Sequence, residues 1–195
     1  MHLGLILGVF AVIFLAELPD KTMIATLIMG SRSRPVLVWI GVTAAFGVHV
    51  AMAVVAGRLI ALLPHVWVEG ITALLFAGGA AYLLLVSEEE EVAEGEEEVA
   101  EAPGGLKPIA TAFVVIFIGE FGDLTQILTA NLAAKYHQPV AVFIGAFAAL
   151  AAVGAIGAFG GRALLRILPL AVIRKAGGVL LAGFAIYSLV LLFTG

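Results

Sequence analysis

Residues 13 to 27 read IFLAELPDKTMIATL, and residues 116 to 130 read IFIGEFGDLTQILTA. The two stretches are identical at seven of their fifteen positions, and each carries a Glu and an Asp three residues apart within an apolar segment. A spacing of three places both carboxylates on one face of a helix. Self-similarity is the first organisational signal to seek in a sequence, and here it predicts two related halves.

The similarity extends beyond the two motifs into the rest of each half. Further aligned segments are PVLVWIG (35–41) with PVAVFIG (139–145), Gly57-Arg58 with Gly161-Arg162, and Ala77-Gly78 through Tyr82 with Ala182-Gly183 through Tyr187. The chain therefore divides into a first three-helix repeat (1–86), a linker (87–106) and a second three-helix repeat (107–195).

The composition is that of a membrane protein. Only 12% of the residues are charged, 63% are hydrophobic and the mean hydropathy is +1.17, whereas a soluble domain needs a far more charged surface. A bilayer core requires about 20 apolar residues per helix, and six segments meet this length. They span residues 3–30, 36–62, 67–86, 107–134, 139–167 and 171–193. We predict an all-α polytopic membrane protein with six transmembrane helices, in which the first segment is a span rather than a removable signal peptide.

The acidic residues are concentrated between the halves. Nine of the 14 lie between Glu88 and Glu101, so the net charge of −4 belongs to the linker and does not indicate a basic partner. No binding of nucleic acid is expected either. Because the linker has too few apolar residues to pack, we expect it to be disordered. The other five acids are Glu17, Asp20, Glu69, Glu120 and Asp123.

The topology follows from the number of spans in each half. Three is odd, so the second half enters the membrane inverted relative to the first, which is a transporter architecture. Positively charged loops stay in the cytoplasm, and most basic residues share the linker's side, against Arg58 and Lys135 on the other. Those on the linker's side are Arg32, Arg34, Lys107, Arg162, Arg166, Arg174 and Lys175. We expect a multi-pass protein of a bacterial-type plasma membrane, with both termini outside and the linker cytoplasmic.

Four carboxylates fall near the middle of the first and fourth segments. An ionised carboxylate at this depth costs at least about 2.5 kcal/mol, and Lys21 is the one cation at the same depth. A divalent cation, protons or both must supply the missing positive charge. Since the chain has no cysteine, a metal would be held by oxygen or nitrogen atoms. The carboxylates are Glu17, Asp20, Glu120 and Asp123, and nearby polar donors are Thr22, Thr26, Thr125, Gln126 and Thr129, with Asn131 further along.

Two polar residues near the motifs have more than one interpretation. Lys21, whose equivalent is Leu124, either balances charge at the site or extends away from it towards the interface. His49 could relay protons or bind metal, but a hydrogen-bonded packing histidine is favoured because the second half has Val153 at that position.

The backbone is expected to be irregular at both motifs. Pro19 lacks an N–H and would free a carbonyl near Leu15, and Gly122 occupies the equivalent position. Broken helices at membrane depth are tolerated where they line a cavity, and paired breaks in two halves point to a binding site.

The motifs resemble a known family. ELPDKT (17–22) and EFGDLTQ (120–126) are similar to the paired Glu-x-Gly-Asp-Lys/Arg-Thr/Ser signatures of the transmembrane protein 165, or Gdt-type, family, and the resemblance covers the whole chain. It implies a transporter that exchanges Mn²⁺ or Ca²⁺ for protons. Pro19 replaces the usual Gly, and Leu124 replaces the usual basic residue. The ligands that the resemblance implies are Glu17, Asp20, Glu120 and Asp123, supported by Thr22, Thr125 and Gln126.

The sequence thus predicts a secondary transporter rather than an enzyme, with no cofactor other than the transported Mn²⁺ or Ca²⁺. Its partners would be the cation, protons and the lipid bilayer, and assembly into a homo-oligomer stays open. Absence of cysteine and of a His pair argues against Zn, Cu and Ni, and Mg²⁺ resists the dehydration that a compact protein cage demands. The alternative is an intramembrane aspartyl protease with Asp20 and Asp123 as its dyad, which leaves both glutamates unexplained. A third hypothesis is a scaffold whose acidic linker binds basic partners.

Overall fold

The computed structural model describes residues 3–18, 20–85, 87–102, 104, 106–167 and 170–194. This part of the chain forms nine α-helices and no β-strand, as the all-α prediction requires. The helices are α1 (Leu3–Glu17), α2 (Lys21–Arg32), α3 (Pro35–Ile60), α4 (His65–Leu85), α5 (Glu88–Ala100), α6 (Pro108–Gly119), α7 (Leu124–Tyr136), α8 (Pro139–Ile167) and α9 (Leu170–Thr194). Three of them begin at a proline, which is favoured in the first turn because its missing N–H needs no partner there.

The first and fourth predicted segments are each two helices rather than one. The axes of α1 and α2 differ by 74°, and those of α6 and α7 by 72°. After each break an aspartate in extended conformation, Asp20 or Asp123, precedes the next helix. Gly122 has a φ of +83°, in the left-handed region that only glycine adopts without strain. The predicted effect of Pro19 lies outside the described residues.

Three helices are long and apolar enough to cross a membrane, namely α3, α4 over Val66–Leu85 and α8 over Pro139–Gly160. Counting each bent pair as one span raises the number to five within the described residues. The sixth predicted segment coincides with the 25-residue helix α9, of whose described residues Lys175–Val190 form a shorter apolar helix. Large apolar side chains such as Leu74 and Phe193 are exposed on the outer surface, where lipid replaces water as the solvent.

The two halves pack across each other. The arms of the first bent pair, α1 and α2, lie against α8 of the second half, while α6 and α7 lie against α3 of the first half. The close approaches repeat: a Cβ at Gly41 would collide with the backbone oxygen of Ile109, and one at Gly145 with that of Ile6. The last helices of the two halves, α4 and α9, pack together. Both breaks are therefore enclosed by helices of the opposite half.

The acidic linker differs from the disorder expected for it. Residues Glu88–Ala100 form α5, which begins with a capping box in which Ser87 and Glu90 bond each other's backbone N–H groups. Such a box satisfies two of the unpaired N–H groups at a helix start. The helix packs against α2, and this packing supplies the burial that its composition alone did not predict.

Candidate cation site

Three of the four predicted acids meet where the two breaks face each other. Glu17 is the last residue of α1, Asp20 precedes α2 and Glu120 follows α6. One carboxylate oxygen from each lies within 4.8 Å of the other two. Their exposed fractions are 0%, 5% and 3%, respectively. The C-terminal ends of α1 and α6 also point here, and helix C-termini carry partial negative charge that favours a cation.

Glu17 is the least satisfied member of this cluster. Both of its carboxylate oxygens are buried and have no hydrogen-bond partner in the described part of the chain. The Thr125 side chain of the second half is nearby but not in hydrogen-bonding geometry. A buried carboxylate without partners is costly unless it binds a proton or a cation. These two oxygens are therefore free to bind either one.

One hydroxyl group of α2 bonds to the cluster, and a second one lies a turn beyond it. The Thr22 hydroxyl donates a hydrogen bond to Oε1 of Glu120, and so links the first half to the second. One turn further along, the hydroxyl of Thr26 is buried and has no partner in the described part of the chain. Carboxylate and hydroxyl oxygens are the hard donors that Ca²⁺ and Mn²⁺ prefer.

Asp123, the fourth predicted acid, lies outside the three-carboxylate group. It is half-buried, and its side chain accepts a hydrogen bond of 3.4 Å from the backbone N–H of Thr125, which caps α7. Asp123 and Asp20 both line a cavity of about 270 Å³ between the breaks, α4 and α9. Asp123 and Asp20 thus line one cavity, and Asp20 belongs to the three-carboxylate group as well.

Gln126 stabilises the second break. Its side-chain oxygen accepts from the backbone N–H of Gly122 at 2.7 Å, and its amide nitrogen is 2.9 Å from Nδ1 of His49. Since the amide nitrogen can only donate, Nδ1 of His49 is the acceptor. The other ring nitrogen then carries the proton and donates to the carbonyl of Phe117 at 3.1 Å. His49 therefore has the buried, hydrogen-bonded position expected of a packing histidine.

The two remaining predicted oxygen donors bond to other protein groups. Thr129 donates its hydroxyl to the carbonyl of Thr125 at 2.7 Å, within α7. Asn131 accepts from the hydroxyl of Thr72 on α4. Thr129 also lines a cavity with Glu120 and Thr125, whereas Asn131 joins α7 to α4.

Lys21 lies at the edge of the cluster. Its ammonium group donates to the carbonyl of Gly119 at 3.3 Å and is 3.5 Å from Oε1 of Glu98 on α5. Sequence reasoning missed Glu98 because it assigned the whole linker to solvent. The available signal was the spacing of Val92, Gly95, Val99 and Ala102, which forms a small apolar stripe on one face of a helix.

A second buried ion pair was also missed. Lys135, in the last turn of α7, lies 2.8 Å from Oε2 of Glu69 on α4 and 3.4 Å from Oγ of Ser188 on α9. This pair links three helices and leaves no net charge. Its two residues are 66 positions apart, and neither belongs to the repeated motif, so no local pattern could have paired them.

Comparison with known proteins identifies a family for the chain. A family model described as "Divalent cation/proton antiporter GDT1" matches residues 5–91 and 108–194. The chain is 28% identical over 200 residues to "Protein PAM71, chloroplastic" of Arabidopsis thaliana, covering 90% of this chain and 54% of that protein. It is 26% identical over 190 residues to "GDT1-like protein sll0615" of Synechocystis sp., covering 90% and 92%.

A third relative comes from Vibrio cholerae. The protein named "Putative manganese exporter" is 30% identical over 179 residues, covering 88% of this chain and 84% of its own. This chain spans 54% to 60% of the length of the chloroplast relatives from Arabidopsis and rice. No solved structure matches the chain.

Proposed function

The chain belongs to the family of divalent cation/proton antiporters GDT1, and from this premise we propose that it exchanges Mn²⁺ or Ca²⁺ for protons at the cluster of Glu17, Asp20 and Glu120. The observation that carries the proposal is the pair of unpartnered, buried oxygens of Glu17 beside two further carboxylates. A purely structural cluster would satisfy its buried polar groups with hydrogen bonds.

The electrostatics of the cluster explain why cation and protons exchange. Two carboxylates about 5 Å apart repel each other by roughly 3 kcal/mol at an effective dielectric constant of about 20. The empty cluster therefore favours the protonated, neutral forms, while a bound dication favours the ionised forms. Cation binding releases protons, and cation departure recruits them. The two substrates compete for the same oxygens, which is sufficient for antiport.

The donor set favours a hard divalent cation. The cluster offers oxygen atoms, and His49 directs both ring nitrogens to protein groups, so this imidazole is not available for Zn or Cu. Mg²⁺ gives up its water reluctantly. Of the two remaining ions, Mn²⁺ has the additional support that the name of the Vibrio cholerae relative refers to manganese export.

Access to the cluster follows from the architecture. We assign six spans to two inverted repeats, supported by the matching bends of the two broken pairs and by the reciprocal packing of α3 and α8. Rocking of one repeat against the other would open the cluster to alternate sides. With the linker in the cytoplasm, an inward proton gradient would drive cation export. Asp123 lines the same cavity as Asp20 and would bind the ion before the ion reaches Glu17.

The alternative functions have less support. The family is one of transporters and not of enzymes, which disfavours the aspartyl protease. Asp123 is committed to capping α7, while Asp20 lies with Glu17 and Glu120. A scaffold acting through its linker would have no use for three clustered carboxylates at membrane depth.

Reconstituted protein tests the proposal. Proteoliposomes with a pH-sensitive dye inside are exposed to Mn²⁺ or Ca²⁺, and wild type is compared with Glu17→Gln. We expect cation uptake coupled to opposing proton movement, reduced about 100-fold or more in the variant because a ligand that also carries the proton is lost. Glu97→Gln, on the exposed face of α5, is the matched control and should transport normally. Folded wild-type protein that moves neither ion under either pH gradient would refute the proposal.

A further inference from the structure

The linker helix α5 is docked against the transport unit. Val92 and Val99 pack against an apolar cluster formed mainly by residues of α2. Between them Gly95 is buried, and a Cβ at this position would lie 2.8 Å from the backbone oxygen of Lys21. Only a residue without a side chain permits this approach of two helices. The backbone of α5 therefore lies directly against the first turn of α2, next to the cation cluster.

Docking brings one of the nine linker glutamates to the edge of the site. The side chain of Glu98 is 17% exposed, and its Oε1 lies 3.5 Å from Nζ of Lys21. The same oxygen would be 2.6 Å from a Cβ on Gly119, the residue before Glu120. The other oxygen of Glu98 is buried and has no hydrogen-bond partner in the described part of the chain. Glu98 therefore contacts Lys21 through one carboxylate oxygen, while the other oxygen makes no hydrogen bond in the described part of the chain.

Lys21 carries a positive charge that could compete with the transported ion. It interacts electrostatically with Glu120, Asp123 and Asp20 in addition to Glu98. Its flexible four-carbon stem lets the ammonium group reach different partners. In the structure the ammonium group bonds to the carbonyl of Gly119 and faces Glu98, and so lies beside the three carboxylates and not among them. Only the first motif carries such a competing charge, since the equivalent residue in the second motif is Leu124.

We propose that Glu98 is a positioning residue which holds the ammonium group of Lys21 outside the carboxylate cluster and thereby sets the affinity for the transported cation. This inference rests on the proposed function. Glu120 of the cluster attracts Lys21 more strongly than Glu98 does, so Glu98 acts as a competitor that keeps the ammonium group at the edge. When Glu98 is replaced or α5 is undocked, no linker carboxylate competes with the cluster for Lys21. The ammonium group then occupies part of the space that the dication needs, and it neutralises part of the negative charge that attracts the dication. The linker helix thus acts on binding through Lys21 without touching the ion.

The test is a double-mutant cycle at positions 98 and 21. The apparent KM for Mn²⁺ is measured in proteoliposomes for wild type, Glu98→Gln, Lys21→Leu and the double variant. Leucine is chosen because Leu124 occupies the equivalent position in the second half. Glu98→Gln should raise the apparent KM about tenfold with the maximal rate changed less than about twofold, because a competing charge costs on the order of 1.4 kcal/mol. In the Lys21→Leu background, Glu98→Gln should have no effect on KM.

A binding measurement makes the cycle independent of turnover. The Kd for Mn²⁺ of the detergent-solubilised variants is measured by calorimetry, so the cycle can be completed even where Lys21→Leu transports slowly. Glu97→Gln controls for loss of one linker charge. An unchanged KM and Kd in Glu98→Gln, with wild type active, would overturn the inference. An equal rise with and without Lys21 would also overturn it, since Glu98 would then attract the ion directly. Wild type with neither flux nor binding refutes the proposed function instead.

Discussion

The two breaks carry the same motif but place it in different surroundings. At the first break Glu17 and Asp20 both enter the cluster, and neither carboxylate caps a helix or accepts a bond from the backbone start of α2. At the second break only Glu120 enters, and Asp123 caps α7. The bends differ by only 2°, from the 74° and 72° given above. A sequence repeat therefore fixes the shape of a break without fixing the role of each residue in it.

The difference has a physical source in the supporting residues. The second half has Gln126, which bonds the backbone of Gly122 and holds His49. The equivalent residue in the first half is Met23, whose side chain is buried among apolar groups and cannot form such bonds. The second break is stabilised by its own polar side chains, whereas the first relies on α5, α8 and the cation site. We expect the first motif to contribute more to ion binding and the second more to the local fold.

The strongest test of this asymmetry compares the two aspartates. Asp20→Asn should lower the transport rate about 100-fold, because it removes a member of the cluster. Asp123→Asn should lower it only about tenfold, because Asn also caps helices well and the loss is confined to the approach cavity. Initial rates of Mn²⁺ uptake in proteoliposomes measure both effects. Equal losses would show that the four carboxylates act as one symmetric site.

Much of the fold could be predicted from the periodicity and from the repeat. Apolar length predicted helices at all six segments, and the doubled motif predicted that both breaks would face one region. Burial of Glu17 and Glu120 follows from their place in the middle of apolar stretches. These features depend on composition and local spacing, which are visible in a single sequence.

Other features depend on contacts that no local pattern reveals. The docking of α5 needs Gly95 to meet the backbone of Lys21, and the Glu69–Lys135 pair joins two helices with no shared motif. The charge of the linker predicted solvation, yet the stripe from Val92 to Val99 was sufficient to bury one of its faces. Tertiary packing overrode composition in this segment. The hydrogen bond from the backbone N–H of Gly122 to the side chain of Gln126 could not be predicted either, since it depends on the φ of Gly122 at the break.

Substitutions at two glycines test whether the backbone of the second break is held in the described conformation. Gly122→Ala should destabilise the protein by about 1–2 kcal/mol, because an L side chain is strained at this positive φ. The control is Gly183→Ala in α9, where a Cβ meets no heavy atom within 4 Å. That change should stabilise the protein slightly, by up to about 1 kcal/mol, through the unfolded state. Thermal denaturation in detergent measures both. Equal shifts would mean that the second break is not held in the conformation described.

The smallest expected effect concerns the pH dependence of α5 docking. Glu98 lies on the linker helix, outside the predicted spans, and burial raises its pKa above the ordinary value while the charge of Lys21 opposes this only in part. A carboxyl whose pKa is raised in the docked state contributes stability below its ordinary pKa and loses it as pH rises through the raised pKa. Docking should therefore weaken as the pH rises above the ordinary pKa of a glutamate, about 4.3, and through the raised pKa of Glu98.

Hydrogen exchange along α5, corrected for the intrinsic effect of pH, measures this opening. Glu98→Gln should remove the pH dependence without undocking the helix, since a neutral amide avoids the burial cost that the carboxylate carries. Glu97→Gln should retain it. Docking that strengthens as pH rises would show that attraction between Glu98 and Lys21 exceeds the cost of burial. In that case Glu98→Gln would loosen α5 as well as free Lys21, and its effect on the KM for the cation would have two causes instead of one.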